Sequence, residues 1–253
     1  MAKYKIGITE AGDAGLDISW AEKLNSVDGA VLVTKQITPA FREKVLANKD
    51  KLVIHATITG YGGTQIEPNV LEPGVELQRV LDLIKDGFPK EKIVIRVDPI
   101  IPTEKGIARA EKVMVEALKN GFMRFRVSVI DMYPHVRERF RRHGIKPPYH
   151  DNFQAPWNMF RDVDELLYRV KITGKRMCRS DDVRIEACAE PSLKNAIQCG
   201  CISRLDLELL GLEEPDADQE GYQRRNCLCY SGKTELLEVK KPCSHGCMYC
   251  YWR

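Results

Sequence analysis

Leu52-Val53-Ile54-His55-Ala56-Thr57 and Ile93-Val94-Ile95-Arg96-Val97 are two short apolar runs rich in β-branched residues. Between them, Val75–Lys85 carries Val80, Leu81, Leu83 and Ile84 near a helical period. Runs of this length suit buried strands, and a strand–helix–strand unit of this size joins parallel neighbours by a right-handed crossover. The alternation continues both ways. Lys5–Thr9 and Ala30–Val33 read as earlier strands, with a helix at Pro39–Ala47. A helix at Gly106–Leu118 and a strand at Phe125–Ile130 follow. A helix at Met159–Ile172, a strand at Val183–Ala187, a short helix at Pro191–Ile197 and a final strand at Thr234–Val239 complete the order. This pattern predicts an α/β fold: a parallel (β/α) barrel, partial or full, of TIM type. A chain of 253 residues with 43% hydrophobic content suits one large core, so residues 1–253 are expected to form a single domain. Residues 178–233 contribute a Cys-rich region to it.

Composition excludes several classes. The formal net charge is only +3, so a polyanionic partner must be met by local patches. No apolar run approaches a membrane span, and Met1-Ala2-Lys3-Tyr4-Lys5 lacks a signal-peptide core. The expectation is a cytoplasmic protein with no membrane partner and reduced thiols. Nine cysteines, an odd number, argue against a disulfide framework.

The segment richest in chemistry is Cys243-Ser244-His245-Gly246-Cys247-Met248-Tyr249-Cys250, a C-x3-C-x2-C spacing. Three thiolates on one tight loop can ligate three irons of a [4Fe–4S] cube, leaving the fourth iron open to a substrate or cofactor. Zinc is the alternative, but it wants a fourth ligand, and His245 is too close in sequence to serve easily. Six other cysteines include two C-x-C pairs, Cys199/Cys201 and Cys227/Cys229, together with Cys178 and Cys188. Four of these can hold a second Fe–S cluster or a structural zinc; otherwise they are small buried hydrophobes.

Polar residues recur where the strands are expected to end: Thr9-Glu10, Thr34-Lys35, Thr57-Ile58-Thr59, Arg96 with Asp98, and Ser128 with Asp131. The carboxyl face is where β/α barrels gather function. The cysteine loop follows the last strand, so the same face collects all of these groups into one expected site.

The spacing, with Tyr249 before the last cysteine, resembles the cluster motif of the radical S-adenosylmethionine (SAM) enzymes. Thr34-Lys35, then Thr57-Ile58-Thr59, then Arg96-Val97-Asp98-Pro99-Ile100-Ile101-Pro102 is similar to the spore photoproduct lyase branch of that superfamily. In that branch the motif precedes these segments, and here it follows them. The resemblance therefore implies a circularly permuted barrel with its cluster-binding strand and loop at the C-terminus. It also implies a SAM-binding cluster on Cys243, Cys247 and Cys250, fed by an external electron donor. Reductive cleavage of SAM would then give a 5′-deoxyadenosyl radical that abstracts hydrogen from a substrate. By the same resemblance Lys35 and Thr57 contact the SAM carboxylate or ribose, and Arg96 supports the carboxylate. The Gly-Gly-Glu grip on the SAM amino group is missing, with Thr9-Glu10 and Gly12-Asp13 in its place. A hydrogen-donor cysteine before the final strand has a counterpart in Cys229 or Cys227. Cys188-Ala189-Glu190, Cys201, Gln223-Arg224-Arg225 and the Cys227/Cys229 pair resemble a largely uncharacterised family with a Cys-rich C-terminus. That likeness selects Cys188, Cys201, Cys227 and Cys229 for the second metal site.

The segment His135–Lys146 holds Arg137, Arg139, Arg141 and Arg142 against a single Glu138. A helix so charged can track a phosphate backbone, although solvated helix faces look similar. Asp98 and Asp131 complete the candidate substrate contacts, and Tyr133, Tyr149, Phe153 and Trp157 can stack a base flipped out of a duplex. The expected substrate is a modified thymine base in DNA, or a nucleotide, undergoing isomerisation, modification or repair. A small metabolite or peptide is the rival under the same chemistry. From another class, a metal-stabilised nucleic-acid-binding protein without turnover fits the same residues.

Overall fold

In the computed structural model, which describes residues 4–150, 152–178, 183–212, 228–230, 232–237 and 243–252, the apolar runs form strands where the pattern expects them. These are β1 (Ile6–Ile8), β2 (Gly29–Thr34), β3 (Leu52–Thr57), β4 (Ile93–Ile100), β5 (Arg124–Val129), β6 (Arg184–Cys188), β7 (Ile197–Cys199) and β8 (Lys233–Glu235). The helices are α1 (Pro39–Ala47), α2 (Pro73–Lys85), α3 (Glu104–Lys119), α4 (Pro134–Arg142), α5 (Trp157–Cys178) and α6 (Arg204–Leu209). Local chemistry starts several of them. Thr38 and Thr103 accept hydrogen bonds from Phe41 N and Gly106 N as N-caps of α1 and α3, each worth about 1 kcal/mol. No helix among the described residues is long and apolar enough to cross a membrane.

All strand pairs are parallel, in the order β7-β6-β5-β4-β3-β2-β1-β8, and the sheet curls through a half-barrel of TIM type. The strand that leads into the cysteine loop, last in the chain, is therefore the neighbour of the first: Ile6 pairs with Lys233 and Ile8 with Glu235. The two-residue period of each strand separates two environments. Leu52, Ile54 and Ala56 of β3, with Ile93, Ile95 and Val97 of β4, pack outward into the main core. Val31, Val53 and Val94 join Ile6 and Ile8 in a smaller inner cluster that Leu207 of α6 closes from below. Further along the same inner face stand Thr57, Arg96, Arg126 and Glu186, side by side across four strands in register.

The expected helix at Pro191–Ile197 does not form. Residues 191–195 are turns, and Ile197 opens β7. The local donors go elsewhere: Asn195 N bonds the Asp164 carboxylate of α5, while the Gln198 amide bonds Glu190 O and Leu193 O. The sequence also did not reveal β7, α6 or the 3-10 segments Ile18–Ser26, Lys49–Lys51 and Lys90–Lys92. Of the expected last strand, the residues after Leu237 lie outside the described set.

Candidate functional site

The carboxyl ends of the parallel strands open on a cavity of about 650 Å³. The expected cofactor residues Thr9, Glu10, Lys35, Thr57 and Arg96 all line it, as do Asp98 and Asp131. So do Cys243, Cys247 and Cys250 of the terminal loop, and Cys188 and Cys201 from the β6–β7 side. Cys229 lies beside Cys201 behind the wall, and Cys227 lies outside the described residues.

The terminal cysteine loop is held by bonds from elsewhere in the barrel. His245, between the first two cysteines, is buried and its Nε2 lies 2.9 Å from Asp13 Oδ2. Asp13 also accepts from Thr34 Oγ1 at 2.7 Å and Lys35 N at 2.7 Å. Burial pushes the Asp13 carboxyl up, but His245 and these donors override it and hold its pKa below the ordinary value. Asn69 N and Nδ2 donate to His245 O and Ser244 O, and Met248 N donates to Ile66 O. Gly246 has φ of 69°, the left-handed region that glycine takes without strain, and this turns the loop back between Cys243 and Cys247.

Tyr249 links that loop to a buried ion pair. Its hydroxyl donates to Glu67, which also accepts from Thr59 Oγ1 at 2.7 Å and from Lys35 Nζ at 2.9 Å. The Lys35 ammonium stands 5.3 Å from the centre of the Tyr249 ring. Burial works against the Lys35 charge, yet Glu67 and then Cys247 more than offset it and raise its pKa. Burial also pushes the Cys247 thiol up to about 12, with Lys35 opposing, and raises Cys243. A metal cation beside these sulfurs would reverse that shift, because coordinated thiols are deprotonated.

A second sulfur group sits across the cavity. Cys188 and Cys201 Sγ are 3.9 Å apart, Cys229 and Cys201 Sγ 3.6 Å, and the three sulfurs lie within 4.8 Å of one another, close enough to hold a metal or cluster. Cys199 stays out of this group, its thiol turned toward Ala187 O at 3.6 Å. Glu10 pairs with Lys233 at 2.7 Å. Burial, then Cys201, raises Glu10 to about 7 against the pull of Lys233.

The DUF1848 family, described as a domain of unknown function, is matched over residues 18–252. The chain belongs to the DUF1848 family. No curated protein and no solved structure matches it. The DUF1848 fold thus brings two cysteine groups, separated in sequence, to one cavity at the carboxyl face of the half-barrel.

The arginine run has mixed uses in this DUF1848 chain. Arg139 on α4 donates through Nη1 to Met248 O at 2.9 Å and Cys250 O at 2.8 Å, clamping the cysteine loop. Arg137 donates to Asn152 O at 2.9 Å, and Arg142 pairs with Glu138 one turn away. Arg141 and Arg142 are exposed. Of the aromatic candidates, Tyr149 is buried and donates to Ile130 O, while Trp157 is exposed beside Arg161. Tyr133 lines the cavity and stacks on Tyr251 with ring centres 5.7 Å apart.

The sequence placed Glu67-Pro68-Asn69 after the third strand but did not reveal the pairing of Glu67 with Lys35 and Tyr249, the Asp13–His245 pair or the charged inner layer. In that layer Arg124 donates to Glu186 at 2.9 Å and Asp206 at 2.7 Å, while Arg126 donates to Glu186 at 3.1 Å. A signal existed for the layer: Arg124 and Arg126 are two apart on a central strand, so they share one face, and two buried guanidinium groups demand carboxylates. The pairing of Glu67 gave none, because Lys35 and Tyr249 reach it from two other loops.

Proposed function

We propose that this DUF1848 protein is a radical SAM enzyme whose [4Fe–4S] cluster sits on Cys243, Cys247 and Cys250 and whose substrate enters the cavity beside it. The observation that carries this reading is topological. The cysteine loop follows a strand that is last in the chain but lies beside β1, and its three cysteines open on the cavity at the strand ends. The resemblance of the C-x3-C-x2-C motif and of the Lys35, Thr57 and Arg96 segments points the same way.

The residues fit the cofactors. Three cysteines leave one iron of a cube without a protein ligand. Thr57 Oγ1 lines the cavity wall, is buried, and has no hydrogen-bond partner in the protein, an arrangement that suits a polar ligand group. When bound, cluster and SAM would supply one-electron cleavage of the sulfonium and a carbon radical able to take hydrogen from substrate. The protein does the rest. Arg139, Asn69 and the Asp13–His245 pair hold the loop backbone in place. Thr57 and Arg96 orient the cofactor carboxylate or ribose, with Asp98 paired to Arg96. Lys35, committed to Glu67, places positive charge near Cys247. The stacked Tyr133 and Tyr251 shield the cavity mouth from water.

For the substrate, a modified base in DNA or a nucleotide remains the proposal. Its support is the exposed Arg141 and Arg142 at the C-terminal end of α4 and, separately, the aromatic side chains of Tyr133, Tyr251 and Trp252 that line the cavity. Anaerobic reconstitution with iron, sulfide, SAM and a reductant is expected to yield 5′-deoxyadenosine, and Cys243→Ala, Cys247→Ala or Cys250→Ala is expected to abolish it. Wild-type yield from the triple variant would sink the reading.

A further inference from the structure

The half-barrel has an open seam. Its sheet ends at β7 on one side and β8 on the other. Cys201 follows β7 and Cys188 closes β6, whereas Cys229 precedes β8. The sulfurs of Cys201 and Cys229, 3.6 Å apart, therefore meet across the seam. Gly200 makes that approach possible. A Cβ there would fall 2.2 Å from Leu228 O, so any other residue would push the two edges apart.

The sulfur spacing distinguishes metals. Two thiolates bound to one tetrahedral ion at about 2.3 Å lie about 3.8 Å from each other. Thiolates on different irons of a cube, each pointing outward from its own corner, lie roughly 6 Å apart. The values here are 3.9 Å and 3.6 Å. The geometry points to a mononuclear, tetrahedral site for a zinc-type ion on Cys188, Cys201 and Cys229, with the Glu10 carboxylate as fourth ligand, closing the barrel seam. Glu10 lines the same cavity as Cys188 and Cys201, and it reaches the ion by turning away from Lys233. Lys233 Nζ stands 3.9 Å from Cys229 Sγ and partly neutralises the excess negative charge of three thiolates and a carboxylate around a dication. The thiol protons leave to solvent on binding. This site is independent of the cluster proposed on Cys243, Cys247 and Cys250.

The test uses the full chain, purified anaerobically from medium containing both iron and zinc. Metal analysis of the Cys243→Ala/Cys247→Ala/Cys250→Ala variant is expected to find about one zinc per chain and no iron. Cys201→Ser is expected to lose the zinc. Should Cys201→Ser fail to fold, the wild-type chain loaded with cobalt(II) reads the same site. Intense tetrahedral ligand-field bands with sulfur-to-cobalt charge transfer are expected, altered by Glu10→Gln and not by Cys227→Ala. Four irons per chain in the triple variant would overturn the mononuclear assignment. So would octahedral cobalt bands, zinc that survives Cys201→Ser, or cobalt bands that respond to Cys227→Ala in place of Glu10→Gln. None of these readouts depends on SAM cleavage, so failure of the radical reading leaves this result unchanged.

Discussion

Glu67→Gln removes the charge from a carboxylate that, like Asp13, ties the cysteine loop to the barrel. Its Glu67 partner keeps Lys35 ionised, and the two side chains are 1% and 15% exposed. Removing one member of a buried ion pair costs about 3–5 kcal/mol, because the survivor is left uncompensated. The solvent contact of Lys35 puts this case at the lower end, about 3 kcal/mol. An unfolding entropy of about 2.1 cal/mol/K per residue gives roughly 0.5 kcal/mol/K for this chain, so the melting temperature is expected to fall by about 6 °C. Differential scanning calorimetry of the metal-free protein measures it. Lys35→Met combined with Glu67→Gln is expected to lose less than the sum of the two single variants, since the stranded charge is gone. Iron retention is expected to drop as well, because the Tyr249 hydroxyl then faces a neutral amide. A Glu67→Gln protein that melts within about 1 °C of wild type, or strictly additive losses in the double variant, would refute the argument.

Other outcomes follow from single contacts. Arg139→Met leaves Met248 O and Cys250 O without their donor and is expected to speed iron loss from the reconstituted protein; Arg141→Met, at an exposed site, is expected to leave it unchanged. Glu76 on α2 is buried, accepts from Ile37 N, and is raised by that burial from 4.5 to about 7. A folded pKa above the unfolded one contributes stability that is complete below about 4.5 and lost as pH rises through about 7, in all about 3 kcal/mol. Chemical denaturation is therefore expected to show Glu76→Gln gaining on wild type between pH 5 and 8, and a constant difference across that range would exclude this. Gly200→Ala is expected to abolish zinc retention while sparing iron on the terminal loop, which parallel metal analysis would detect.

The strands were legible because parallel, doubly covered strands carry apolar runs that no other element explains. Leu52–Thr57 has the same limits in sequence and in structure. The cysteine loop was legible because its three ligands are local. The scaffolding around it was not. Asp13 meets His245 across 232 residues, and Tyr249 meets Glu67 across 182. Nothing in the spacing of one partner marks the other. The short helix expected at Pro191–Ile197 failed because side chains took its backbone groups, Asp164 from 31 residues away and Gln198 from close by. The basic run on α4 showed its charge plainly, but composition could not separate Arg139, which faces inward, from Arg141, which faces solvent.

The position of β8 has a consequence for the order in which the protein matures. Glu10 and Glu235, bonded to each other at the edge of the sheet, are 225 residues apart in the chain. The cysteine loop that follows β8 also rests on the Glu67 loop and on α4, so its place in the fold is fixed only after the central strands have paired. Contacts of such long range form late in folding, after the loop-closure entropy of everything between them has been met. A partly folded chain thus presents the three thiols on a segment not yet docked against the Glu67 loop and α4. If the loop takes the proposed cluster, its loading would wait on that docking, and a donor that recognised the docked loop would pass over unfinished chains.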